Sequence, residues 1–354
     1  MSYTARIQAL FTAVHADVKP LFDPATQMRK FPKQALAKFL ARKIIRKALP
    51  AVRPNQITEL VDSREKLDLV PSEILRLYLA DVWELVPENI KKAIEGAQDP
   101  RAPTQGSSDF IINRELGDWA EGVVRSAVNK AGLDVCAVSY GRRDRLIAGE
   151  PGFPELYSAH QSELKAIGKR PDLLIYRKDE APSESFEGRD ANDLIETVKK
   201  ALLALEVRSS QQTLNKTRNP AELSFTPKVE DVGNVVKWIE FHDVPHYYVQ
   251  VLFGRVYAIG FDRILELLAD SPKSEKYRIA RVVRNQFKST IYIPLTSGQC
   301  LSTEFEQPQS LKASIKSLDN GRVVVIVEFS GGKVTFAETE LQKLIDAAGK
   351  AKGM

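Results

Sequence analysis

The chain has 354 residues, with 51 Lys and Arg against 46 Asp and Glu, a net charge of +5 at pH 7 and 43% hydrophobic residues. That length can bury a core large enough for two or three packed units, while no apolar run approaches the roughly 20 residues of a membrane span and no signal-peptide pattern is visible. Cys136 and Cys300 have neither disulfide-framework nor metal-ligand spacing, which fits a reducing cytoplasm, and His15, His160, His242 and His246 come without an HExxH or nucleophile-elbow pattern.

The charge is unevenly spread. Residues 1 to 53 hold eleven Lys or Arg against Asp17 and Asp23, whereas residues 54 to 100 hold ten acids against five bases. Apolar residues recur at helical spacing from 4 to 18 and from 33 to 49, where Leu36, Phe39, Leu40, Ile44 and Ile45 form a stripe opposite Lys38, Arg42, Lys43, Arg46 and Lys47. Arg42 and Arg46 are therefore candidate DNA phosphate contacts, although a solvated helix face has the same pattern. Further helices are predicted at 56–62, 72–84 and 87–95, giving a helical N-terminal unit over 1–100. The Pro/Gly/Ser-rich stretch 99–109 bounds it.

A helix follows, with Leu116, Trp119, Ala120, Val123, Val124, Ala127 and Ala131 on one face, Glu121 at its border and Gly132 at its end. After a strand at 133–140, residues 141–161 read as a long loop on the substrate side, basic at Arg142, Arg143 and Arg145. Two short apolar runs, Leu173 to Ile175 and Leu202 to Val207, read as buried strands, and each carries a carboxylate that burial does not explain: Asp172 and Glu206. Side chains alternate across a sheet, so Glu206 and Arg208 share a face. If the two runs are neighbours, Asp172 meets Glu206 and the pair offers the hard oxygens that Mg2+ takes beside waters and phosphates.

The insertion 179–190 is acidic and turn-rich and reads as an excursion. Residues 209–219 form a polar loop in which Gln211, Gln212, Asn215, Lys216 and Arg218 have the side chains that bond phosphates and base edges. A helix at 229–241, a hairpin around Gly254-Arg255 and a short helix at 263–269 come next. The basic run from Lys273 to Lys288 is a second candidate phosphate surface. Beyond it lie strands, with Gly331-Gly332 read as a hairpin turn, and a helix at 338–347.

Pro171, Asp172, Glu206 and Arg208, in the order helix, strand, strand, strand, resemble the PD-(D/E)xK nuclease core, with Arg where that family usually has Lys. The EVRSS strand and the runs LSFTPKVEDV, KWI and VPHYYVQVLFGRVYAIGF resemble AccI-type restriction endonucleases over about residues 110–270. The resemblance implies an α/β (α+β) fold, a restriction-endonuclease-like mixed central sheet flanked by helices over 109–270. A β-rich unit follows over 271–354. It implies a Mg2+-dependent double-strand DNA endonuclease, acting as a homodimer, with a degenerate palindromic site of the GTMKAC type. Asp172 and Glu206 would hold the metal, Glu121 would contribute, and Arg208 would stand near the scissile phosphate. Arg stays protonated and cannot be a general base, so Lys228 is a second candidate for the missing ammonium. A repair nuclease or junction resolvase would use the same core, and a non-catalytic DNA-binding protein is the rival from another class.

Overall fold

The computed structural model describes residues 2–22, 108–141, 146, 151–186, 189–213, 223–281, 289–302, 309–317 and 323–353. Most of the helical unit expected over 1–100, with Arg42 and Arg46, lies outside them, as do Arg142, Arg143, Asn215, Lys216 and Arg218.

At the centre is a six-stranded mixed sheet in the order β1-β2-β3-β5-β6-β9. Its strands are β1 (Val135–Ser139), β2 (Leu173–Arg177), β3 (Leu203–Thr213), β5 (His246–Phe253), β6 (Arg255–Gly260) and β9 (Gln299–Ser302). β1, β2 and β3 pair antiparallel, β5 joins β3 in parallel, and β6 and β9 return antiparallel. A parallel neighbour needs a long crossover. Helix Val229–His242 supplies it, with Val229, Val232, Val235, Val236 and Ile239 buried at helical spacing. The helix ends at Asp243, left-handed at φ 52, whose Oδ1 accepts from both the amide and the hydroxyl of Thr4 at 2.7 Å.

Alternation sorts the side chains of β3 into two layers. Leu203, Leu205 and Val207 pack with Ala120, Val124 and Ala127 of helix Ser108–Lys130 and Leu341 and Leu344 of helix Glu338–Lys352, whereas Ala204 lies in the layer of Trp238 and Ile239. Each fully buried aliphatic side chain contributes about 1.5–3 kcal/mol, so a strand buried on both faces is a firm mounting. The first helix, Tyr3–Ala13, covers the second layer: Tyr3 and Ile7 are buried there, and Arg6 pairs with Asp262 at 2.9 Å and Glu266 at 3.1 Å.

Several expectations are corrected. Residues 153–167 form a helix rather than part of a loop, because Pro154 opens its first turn. The insertion holds Phe186, buried and edge-on to Tyr140 at 5.5 Å. β3 runs on to Thr213, so Gln211 and Gln212 lie on a strand end. β9 completes the main sheet and the last helix packs on it, β7 (Arg278–Arg281) and β8 (Ser289–Pro294) form a small sheet with β4 (Ser224–Phe225), and β10 (Gln309–Ser317) pairs with β11 (Val323–Gly331). Gly331-Gly332 therefore ends a hairpin strand instead of turning it, and Trp119 Nε1 donates to the Gly331 carbonyl at 2.9 Å. The expected α/β class, a mixed sheet flanked by helices, is what the structure has. No helix among the described residues is long and apolar enough to cross a membrane.

Candidate active site

Asp172 and Glu206 meet where β2 begins against β3. Leu173 is opposite Leu205, the Asp172 amide donates to the Leu205 carbonyl at 3.0 Å, and the Val207 amide donates to Asp172 Oδ2 at 2.6 Å. The carboxylate is thus fixed by the neighbouring strand's own backbone. Its other oxygen lies over Gly141, where an added Cβ would stand 3.3 Å from Oδ1.

Glu206 is 2% exposed and shares its face with Arg208. Two cations and a second acid close a ring around it. Lys169 Nζ is 2.5 Å and Arg208 Nη2 2.9 Å from Glu206 Oε1, and the same two atoms lie 2.8 and 2.6 Å from Asp231 Oδ2. Asp231 stands in the first turn of the crossover helix Val229–His242, which lies on this face of the sheet. Glu206 Oε2 and Arg208 Nε are buried with no hydrogen-bond partner among the described residues.

The electrostatics follow this crowding. Burial, then the charges of Glu206 and Glu121, push the Asp172 carboxyl well above its ordinary value, against the pull of Lys169 and the Val207 amide. Glu121, on the helix over the opposite layer, is therefore felt at the site. Burial and Arg208 lower the affinity of Lys169 for its proton, but Asp231, Glu206 and Asp172 together raise it above the ordinary value. Burial also opposes the Arg208 charge, and Glu206 and Asp231 more than offset it. Behind the ring, His246 is held neutral, lowered to about 3 by burial, Lys169 and Arg208. Tyr248, paired with Glu206 in strand register, is raised by burial, Glu206 and Asp231 and keeps its hydroxyl proton.

These residues pass a chemical test for a divalent cation. The donors are hard carboxylate oxygens, one buried oxygen lacks a partner, and the neighbouring carboxylates raise the proton affinity of Asp172, which a cation relieves. Among the described residues no three His, Cys, Asp or Glu side chains close a cage. Mg2+ is commonly held by one or two carboxylates with waters and substrate phosphates, so two protein ligands suffice.

Of the expected residues, Asp172, Glu206 and Arg208 come together, and the charge of Glu121 reaches Asp172 from the helix over the opposite layer. Lys228 Nζ donates to Thr290 Oγ1 at 2.8 Å, and among the described residues Lys169 and Arg208 form ion pairs with Glu206. Gln211 and Gln212 continue the strand that carries Glu206. Part of the basic run is engaged within the chain, with Lys276 on Asp270 at 2.6 Å and Arg278 over the Tyr292 ring at 3.8 Å. Lys169 and Asp231 were missed. A lysine beside Arg170 and an acid in a helix's first turn are both ordinary by type, and no spacing in the sequence marks them.

Comparison with known proteins puts the chain in the class of type II restriction endonucleases. The profile of the AccI restriction endonuclease family matches residues 78–221 and 211–350, well over half of the chain, and the protein belongs to that family. Neither the curated proteins nor the solved structures compared with it include a match.

Proposed function

We propose that the protein is a Mg2+-dependent endonuclease that cuts both strands of duplex DNA at a specific palindromic site, with a PD-(D/E)xK-type centre built from Asp172, Glu206, Arg208 and Glu121. The observation that supports this most is the meeting of Asp172 with Glu206, whose buried Oε2 lacks a partner. Asp172 and Glu206 would hold the metal. Bound there, Mg2+ neutralises phosphate oxygens and lowers the pKa of a water.

In hydrolysis a water oxygen bonds to phosphorus and gives up one proton to solvent, the bond to the leaving sugar oxygen breaks, and that oxygen takes a proton from solvent. Arg208, permanently protonated, stabilises the charge that builds on the phosphate oxygens and does not remove a proton. The described residues bring one such carboxylate set, so a twofold homodimer would place one on each strand of a palindrome, of GTMKAC type if specificity follows the resemblance.

Dialysis against chelator, followed by plasmid cleavage with and without Mg2+ and sequencing of fragment ends, tests the reading. Discrete fragments that require Mg2+ are expected. Smearing or structure-selective nicking would indicate a repair nuclease instead, and gel retardation without cleavage a DNA-binding protein. For the dimer, wild-type chains mixed with excess Glu206→Ala chains should give DNA nicked in one strand; a proportional loss of double-strand cuts without nicks would replace it with a monomer.

A further inference from the structure

We infer that Lys169 is a catalytic residue of this enzyme and that Asp231 positions it, an assignment that rests on the nuclease reading above. The backbone is built to bring this lysine in. Gly168 has φ +84, and a Cβ there would run into the Asn234 carbonyl and stand 2.7 Å from the Trp238 amide of the crossover helix. The Lys169 amide then donates to the Asn234 carbonyl at 3.0 Å, and three residues later the Asp172 amide donates to Leu205. Residues 169–172 are thus pinned to the helix at one end and to β3 at the other. The lysine and the carboxylate are delivered to one place by one rigid span.

The side chain has capacity to spare. Its ammonium has three donors, of which Glu206 Oε1 takes one and Asp231 Oδ2 another. The third has no acceptor among the described residues, and the side chain keeps 23% of its surface exposed. Arg208 has less freedom, since its Nη2 is committed to the same two acids and its Nε is buried. A compact ammonium on a flexible stem can turn toward a phosphate oxygen without giving up its anchors. Lys169 is therefore a second cation, beside Arg208, that can face the charge developing on the scissile phosphate.

Asp231 would be an ordinary first-turn acid if it only complemented its helix dipole. That role does not require one oxygen to receive both cations of the site, and Asp231 Oδ2 does. It also sets the charge balance. Glu121, Asp172, Glu206 and Asp231 carry four negative charges against the two positive charges of Lys169 and Arg208 when all are ionised. The difference is what one divalent cation neutralises.

The test is the single-turnover rate on duplex DNA with Mg2+, beside duplex affinity measured in chelator. Lys169→Met is expected to lower the rate at least ~100-fold while affinity changes less than about threefold. Asp231→Asn should lower the rate at least ~10-fold, and Asp231→Glu should recover most of that loss. A wild-type rate in Lys169→Met beside an inactive Glu206→Ala overturns the inference and leaves the nuclease reading standing. Normal cleavage by Glu206→Ala would instead remove the nuclease site itself. Should circular dichroism show Lys169→Met unfolded, Lys169→Arg keeps the ring's charge: at least a ~10-fold loss is expected, and a wild-type rate overturns the assignment. A loss in Asp231→Asn that glutamate does not recover returns Asp231 to its helix-start role.

Discussion

Lys169 and Arg170 are neighbours in the chain, and each carries its charge to a carboxylate inside the protein. Arg170 grips Glu163 in a bidentate pair at 2.6 and 2.8 Å, donates to the Arg189 carbonyl at 3.1 Å and lies 5.2 Å over the ring of Tyr140. Its side chain is 6% exposed. Lys169 enters a ring of two cations and two acids in which Glu206 Oε2 and Arg208 Nε stay unpartnered. The contrast teaches how to tell the two uses of buried charge apart. A constellation whose two partners match fork to fork holds the fold, whereas one with unused oxygens and donors can take a ligand.

The comparison can be broken at either constellation. The largest effect is expected from Asp172→Ala and Glu206→Ala, each lowering plasmid cleavage by ~10^3-fold or more while gel-shift affinity for duplex is largely kept. Retained cleavage in either would end the distinction. Arg170→Ala should do the reverse, losing about 3–5 kcal/mol of stability because the largely buried bidentate pair with Glu163 is broken. Its urea midpoint should fall while the folded protein cleaves normally. A loss of cleavage at unchanged stability would mean that the closed pair is part of the chemistry.

A smaller effect sharpens the boundary between the two residues. Gly168→Ala puts a Cβ at a left-handed position against the crossover helix, and about 1–3 kcal/mol of destabilisation is expected. Cleavage should fall more than Arg170→Ala makes it fall, since the displaced residue next in line is Lys169; equal activities would contradict this. The smallest effect is one of pH. The Asp172 carboxyl is raised in the folded state above its ordinary 3.8, so the folded protein holds that proton more tightly than the unfolded chain. The associated stability is complete below that value and is lost as pH rises through the folded-state value. Asp172→Asn should therefore melt increasingly higher than the metal-free wild type as pH rises above 3.8, with the curves converging in acid. Parallel melting curves across that range would show that Asp172 is not crowded by Glu206 and Glu121.

Much of this was legible before any coordinates. The runs around Asp172 and Glu206 declare themselves as buried strands by their Leu, Ile and Val, and a carboxylate in such a run stands out because burial of an acid needs a reason. Alternation alone put Glu206 and Arg208 on one face. The hairpin at Gly254-Arg255 and the helix beginning at Val229 follow from local pattern. The remainder depends on what one segment meets in another. Gly168 looks like any loop glycine until the crossover helix is seen against it. Asp231 lies 25 positions beyond Glu206, and only the parallel placement of β5 beside β3 brings the intervening helix over the site. Residues 153–167 were obscured by their own punctuation, because Gly152 and Pro154 start a helix as readily as they mark a loop.

The packing of helix Tyr3–Ala13 sets a timetable for the growing chain. Thr4 bonds to Asp243 and Arg6 to Glu266, partners 239 and 260 residues downstream. At ~5–20 residues per second, the ribosome takes roughly 10–50 s to make that intervening chain. For that interval the apolar side chains of Tyr3 and Ile7, buried in the finished protein, have no docking surface. This helix, made well before the residues it docks on, is among the last to be seated, and slowing or truncating synthesis before residue 270 leaves it as a standing target for chaperones.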